Sequence, residues 1–342
     1  MTSYVITQNM TDDTISMEDF FSESPKWYDR IGEIYALLER VIISEERSSD
    51  VLKLRRLNRI MSVHASTAIE GNLLSLDQVT DVVNGMPVWG PPKDIKEIQN
   101  AWQAYNRLEE YDPWDVMDFL SAHASMTDAL IGESGKFRSV GVSVVTNHGM
   151  VIHKGSEPED VPDLVKKLLE WGKGSDVHPL IKSSAVHFMI EHIHPFRDGN
   201  GRIGRLWQTL ILSKWNPLFL WMPVETLIHH NQRRYYSALR DSNRNDLDCR
   251  PFIDLMLDII ADSLRKYVEM PVRDEVVFGL ELKKCILSAV RSNPSVSAKD
   301  IATNLGKSSR TVERHINDMR EMKVLKREGS KKTGIWVISG TL

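Results

Sequence analysis

The chain has 342 residues, 42% of them apolar and 26% charged, with a net charge of −4; this is the composition of a globular protein long enough for two or three domains. The balance excludes a chain that binds nucleic acid through overall positive charge and leaves room for a local basic patch. Cys249 and Cys285 lie far apart, outside any C-x-x-C spacing, and read as reduced thiols; the acidic start MTSYVITQNMTDDTISMEDFF, with no apolar run of about 20 residues, predicts a soluble, cytoplasmic protein that makes no membrane contact.

In chain order, WYDRIGEIYALLERVI places Ile31, Ile34, Leu37, Leu38 and Val41 on one helical stripe. VLKLRRLNRIMSVHASTAIEG keeps the same period until Gly71 stops it. NGMPVWGPPKD (Asn84 to Asp94) is a loop dense in proline and glycine. Helical pattern resumes in IKEIQNAWQAYNRLEEY and PWDVMDFLSAHASMTDALI. VGVSVVTNHGMVIHK alternates instead, which predicts a β-hairpin with an Asn-His-Gly tip. Helices follow from Val161, and a boundary falls near Pro271. Beyond it, a short helix from Ala298, a turn at LGKS, a second helix from Ser309 and a basic hairpin before GIWVIS form a winged helix-turn-helix pattern. Between Ala298 and Lys332 ten Lys or Arg face five Asp or Glu. If DNA is the partner, Arg310, Arg314 and Lys331 are its phosphate or groove contacts.

The chemistry concentrates in HPFRDGNGRIGR (His194 to Arg205). Its glycines satisfy a dinucleotide-binding pattern, but that reading needs a strand immediately before them. Ile181, Ala185, Phe188, Met189 and Ile193 recur at helical spacing instead, and Pro195 breaks the run. A zinc site would need His187 and His194 plus further ligands, and none stands at ligand spacing; His187 and His192 read as structural, hydrogen-bonded at helix surfaces. Phosphate chemistry accounts for the whole stretch. DGNGR curls its backbone N–H groups into an anion nest at a helix start. Arg202 and Arg205 share a helix face toward that anion. Asp198 is a hard oxygen ligand suited to Mg²⁺, and His194 is a base with a near-neutral pKa beside them.

The stretch resembles the signature of Fic domains, His-x-Phe-x-Asp/Glu-Gly-Asn-Gly-Arg-x-x-Arg, at every fixed position, and the resemblance extends from the N-terminal helices to about Leu264. It implies a mainly α fold: a helical bundle with a β-hairpin flap, followed by a small α+β winged helix. The implied organisation is an N-terminal helical region (1–112) carrying an inhibitory motif, a catalytic core (113–266) and the winged helix (275–342). The implied activity is transfer of AMP from Mg²⁺-ATP to a Tyr, Thr or Ser hydroxyl of target proteins and of the chain itself, releasing pyrophosphate. On this resemblance His194 is the general base, Phe196 anchors the loop, and Asp198 holds Mg²⁺. Gly199, Asn200, Gly201, Arg202, Ile203, Gly204 and Arg205 frame the phosphates, with Gly204 a small residue where the helix packs closely. Doc, a phosphorylating relative, carries Lys where Gly201 sits; Gly favours AMP transfer.

The hairpin resembles the Fic flap, whose open edge would clamp a target segment by main-chain pairing. RRYYSALRDSN resembles the helix lining the adenosine pocket, with Tyr235 and Tyr236 at its border and Asn243 bonding the base. Ser66-x-x-x-Glu70-Gly71 resembles the family's inhibitory motif. There Glu70 would form a bidentate ion pair with Arg205, remove the cation meant for the γ-phosphate and misalign ATP. De-AMPylation through that glutamate, UTP as donor, and a DNA-binding regulator with a nucleotide-sensing core are the alternative functions. The resemblance also implies a homodimer.

Overall fold

The computed structural model describes residues 23–46, 51–145, 151–244, 247–269, 274–305, 307–321, 324–329 and 334–339. The apolar stripes fold as their spacing predicts. The first gives α1 (Pro25–Glu46), with Ile31, Ile34, Leu37, Leu38 and Val41 all buried. The second gives α2 (Val51–Ile69), ended at Gly71, whose φ of 93° is the left-handed backbone that glycine adopts without strain. After α3 (Leu76–Val83), capped by a Ser75–Gln78 capping box, come α4 (Pro92–Asn106) and α5 (Val116–Thr127). The apolar pattern following α5 runs on to Ile131, but the helix stops four residues earlier, where Ala129 takes a φ of 56°.

The alternating segment is a hairpin, β1 (Ser143–Val145) antiparallel to β2 (Val151–Lys154) with a bulge between Val144 and Val145. Its expected Asn147-His148-Gly149 tip lies outside the described residues. Then follow α6 (Val161–Gly174), α7 (Pro179–Ile193), α8 (Asn200–Trp215), α9 (Val224–His230), α10 (Gln232–Arg244) and α11 (Arg250–Glu269). Helices α7 and α8 have no polar face: twelve of fifteen and thirteen of sixteen residues are buried. Such helices belong at the centre of a bundle. They form an adjacent pair, and the loop between them, residues 194–199, is therefore mounted on the most rigid part of the fold.

The chain divides into two compact units, the second formed by Ser48–Leu57 with Met270–Leu342 and the first by the rest. The second contains α12 (Asp274–Ser292), α13 (Ala298–Asn304), α14 (Ser309–Glu321) and the hairpin β3 (Leu325–Glu328)–β4 (Ile335–Ile338). Ile286, Ile301, Val312, Met319 and Leu325 share one core. Ser297 caps α13 by accepting from Asp300 N–H. Trp336 locks the wing with an indole N–H donated to Val296 O at 3.0 Å and with Arg327 over its ring. No helix among the described residues is long and apolar enough to cross a membrane.

Candidate active site

Helix α7 ends at His194, a non-glycine residue in the left-handed region (φ 53°, ψ 59°). That conformation costs on the order of 1 kcal/mol and needs support. Arg138, itself 2% exposed, supplies it. Its Nε donates to His194 O at 2.7 Å, its Nη1 to Val140 O at 2.9 Å and its Nη2 to Ser156 O, while its own N–H donates to Pro195 O. Ser156 N–H adds a bond to Ile193 O. The stem of the hairpin and the backbone of His194 are thus one fixed unit. His194 Nδ1 lies 3.2 Å from Glu191 O; a carbonyl accepts only, so Nδ1 carries the proton and the ring's lone pair sits on Nε2.

The rest of the loop is built from inside. Phe196 is fully buried, stacked on the His123 ring at 3.6 Å between centroids. His123 accepts from Gly135 N–H at Nδ1 and donates from Nε2 to Asp198 O at 2.9 Å. Burial lowers its pKa to about 4, which fixes that neutral tautomer. The Asn200 amide closes the turn, accepting from Phe196 N–H and donating to Phe196 O, each at 2.8 Å. Gly199 takes φ 89° and leaves the N-terminus of α8 without a side-chain cap. A Cβ on Gly201 would collide with Glu70 Oε1. The first turn of α8 therefore offers bare backbone N–H groups, the arrangement that binds phosphate.

The two arginines of the motif differ from expectation. Arg202 does not share an anion with Arg205: it pairs with buried Glu97 at 2.5 Å and reaches Asp198 Oδ1 at 3.3 Å. Glu97 Oε2 in turn accepts from Asn72 Nδ2 at 2.8 Å. Arg205 meets Glu70 through a single contact, Nη2 to Oε1 at 2.6 Å, and not through both nitrogens. Ser66 engages the other edge, taking Nε on its hydroxyl at 3.1 Å and Nη2 on its carbonyl at 2.9 Å, and Nη1 has no hydrogen-bond partner among the described residues. Burial disfavours the Arg205 charge, and Glu70, Tyr235 and Glu191 together outweigh it and hold the guanidinium pKa above its usual value.

Ile203 is fully buried, and Gly204 faces His187, whose Cδ2 a Cβ would approach to 2.7 Å. These two positions pack α8 against α7. Tyr235 is fully buried, with its hydroxyl between His187 and Glu191, while Tyr236 is 42% exposed. Asn243 Oδ1 meets His192 Nδ1 at 2.6 Å. His187 and His192 are structural as expected but not at helix surfaces: both are buried, and His187 is held by Gln208 and Tyr235. Asp198 is half exposed, and its Oδ1 accepts from Gly199 N–H at 2.6 Å. A single exposed carboxylate beside a phosphate-binding helix terminus suits Mg²⁺, which takes one or two carboxylates and completes its shell from phosphate and water.

His123, Arg138, Glu97 and Glu191 were missed by sequence reasoning. The signal was present: Glu97 beside Ile98 and Ala101 is an acid at a buried helical position, and Glu191 within MIEHI is an acid inside a largely apolar run, and both require a partner.

A Fic/DOC family match covers residues 113–212, and a winged helix-turn-helix DNA-binding match covers 281–326. A Fic family protein from Desulfovibrio desulfuricans G20, known by crystal structure, is 34% identical with a TM-score of 0.69 over 94% of this chain and 98% of that one. The protein adenylyltransferase fic-1 of Caenorhabditis elegans is 28% identical over 65% of this chain and 44% of its own length. The protein adenylyltransferase Fic of Drosophila grimshawi is 27% identical over 78% and 58% respectively. The chain spans about half the length of these curated relatives. Their likeness, the loop geometry and the near full-length match to the bacterial structure agree: the chain belongs to the Fic family.

Proposed function

We propose that the protein transfers AMP from ATP to a hydroxyl side chain of target proteins and of itself, and that Glu70 restrains this activity. The observation that carries the reading is the juxtaposition of His194 with the uncapped N-terminus of α8, joined by a loop that Phe196, His123 and Asn200 hold rigid. The α8 N–H groups bind the phosphate chain. His194 Nε2 takes the proton of the target hydroxyl as its oxygen attacks the α-phosphorus, and pyrophosphate leaves. Mg²⁺, held by Asp198, would neutralise phosphate charge. The hairpin edge pairs with the target backbone, and its stem, fixed to His194 through Arg138, sets the distance between hydroxyl and base. Glu70, against Arg205 and Gly201, occupies the position the terminal phosphate needs.

The test is label transfer in Glu70→Gly with Mg²⁺ and ATP. Label enters protein from α-labelled ATP and not from γ-labelled ATP, and His194→Ala abolishes it in the same background. Label from the γ-position would overturn AMP transfer in favour of phosphorylation. Competition among the four triphosphates identifies the donor.

A second role is favoured by α14. Arg310, Arg314 and Arg320 are exposed along that helix, within the segment matched by the DNA-binding family. Lys331 lies outside the described residues. The reading is that this unit binds duplex DNA, with an affinity that falls steeply with salt and drops on Arg310→Ala with Arg314→Ala. Affinity unchanged by both would contradict it.

A further inference from the structure

Behind the Glu70–Arg205 pair lies a second carboxylate, Glu191 of α7, which the reaction just described does not use. Its surroundings allow a proton count. Ser184 Oγ donates to Leu180 O, so it accepts from Gln208 Nε2, and Gln208 presents Oε1 to His187 Nδ1 at 2.7 Å. His187 therefore carries its proton on Nδ1. The ring is fully buried, and burial lowers its pKa to about 3, so Nε2 holds a lone pair. The Tyr235 hydroxyl stands 3.0 Å from that Nε2 and 3.0 Å from Glu191 Oε1. A phenol has one proton. If it serves His187, the contact with Glu191 sets two lone pairs against each other unless Glu191 supplies a proton of its own. In this orientation of the Gln208 amide the chain of bonds closes with Glu191 as the neutral acid. With the amide turned over and the His187 proton on Nε2, Tyr235 donates to Glu191 and the chain closes with Glu191 ionised, so the network accommodates both states.

The reason for the proton stands on the other side of Glu191. A Cβ on Gly201 would be 3.0 Å from Arg205 Nη1 and 3.2 Å from Glu191 Oε1, and in collision with Glu70 Oε1. Two carboxylates thus converge on one arginine, whose Nη1 is buried without a hydrogen-bond partner among the described residues. One cation neutralises one carboxylate; the second keeps its proton. Burial first, and the Glu70 charge second, push Glu191 up to about 7. The other groups acting on it are Tyr235 and Tyr236 of α10; Tyr235 joins it to His187 of its own helix, and His194 Nδ1 meets only its backbone carbonyl.

We propose that Glu191 is a positioning residue acting through Arg205: protonated, it leaves the guanidinium to Glu70, and ionised, it takes the vacant Nη1 and repels Glu70, opening the α8 N-terminus to the phosphate chain. The proposal rests on the adenylyl-transfer reading. Its sign follows from reciprocity. Because docked Glu70 holds the proton on Glu191, loss of that proton weakens the docking of Glu70 by the same factor. Restraint is therefore full below the lower pKa that Glu191 has with Glu70 undocked, and is lost as pH rises through the docked-state value of about 7.

The experiment measures label from α-labelled ATP between pH 6 and 8.5 in wild type, Glu70→Gly, Glu191→Gln and the double variant. His194 is unchanged in all four, so any contribution it makes cancels in ratios. The wild-type to Glu70→Gly ratio should rise roughly tenfold between pH 6 and 8, while the Glu191→Gln to double-variant ratio stays flat. A wild-type ratio that is low and independent of pH overturns the proposal and leaves adenylyl transfer standing. No label in any variant overturns adenylyl transfer itself. Infrared spectra of the wild-type protein give a readout free of activity. A carboxylic-acid band titrating near neutral pH and lost in Glu191→Gln supports the proton count, and its absence overturns it.

Discussion

Arg202 and Arg205 stand one turn apart on α8, both buried and both salt-bridged, yet their partners differ in kind. Glu97 is 9% exposed, sits on a long helix of the core and is tied in turn to Asn72. Glu70 is 33% exposed and follows directly on the end of α2, one residue before Gly71. Removing water from both partners, as at Arg202, makes a pair whose breaking leaves an uncompensated buried charge. Leaving one partner in contact with solvent, as at Arg205, lets water take over the carboxylate when it departs. The same motif therefore holds one arginine whose partner is buried and one whose partner touches solvent, the arrangement that the proposed switch needs.

The largest effect on stability should come from breaking the first pair. Glu97→Ala is expected to cost about 3–5 kcal/mol in denaturant unfolding and to abolish labelling by loosening the turn at Asp198. A loss under about 1 kcal/mol would remove the distinction between the two arginines. Next comes acid sensitivity of the scaffold. His123 and His187 have folded-state pKa values of about 4 and 3, below that of an unfolded histidine. Their contribution is complete above about pH 6.5 and is lost as pH falls toward the folded values, about 2 kcal/mol each by pH 5. Comparing unfolding midpoints of wild type and His187→Gln at pH 7.5 and 5 should show a shallower dependence in the variant; identical slopes would contradict this. Ser66→Ala removes one bond to Arg205, costs about 1 kcal/mol and raises labelling severalfold by weakening the Arg205 side of the latch. The smallest change in stability is expected for Glu70→Gly, about 1 kcal/mol or less, because Arg205 keeps its bonds to the Ser66 hydroxyl and carbonyl when the half-exposed carboxylate goes.

Much of this was legible in the chain. Apolar spacing located the helices, and the helices from Ala298 and Ser309 begin where the sequence places them. The order of residues from His194 to Arg205 pointed to phosphate chemistry and identified the family, because a turn that must curl, bind and pack leaves little freedom in residue type. The resemblance of Ser66-x-x-x-Glu70-Gly71 to the family's inhibitory motif implied contact with Arg205, which the structure has. The partners that hold these residues were not legible. Glu97 and Arg138 lie 105 and 56 residues from what they hold, and nothing in local pattern encodes such a distance. Two predicted geometries failed for the same reason: Glu97 claims Arg202, and Ser66 shares Nη2 of Arg205 with Glu70, so neither guanidinium adopts the arrangement its spacing alone suggests.

The central claim, that Glu70 on Arg205 restrains an otherwise assembled site, is tested most directly by the initial rate of label incorporation from α-labelled ATP at fixed pH in Glu70→Gly and wild type. A misplacement of about 1 Å in a phosphate costs on the order of a hundredfold, so the account predicts a rise of about that size or larger. Equal rates in the two proteins would contradict it.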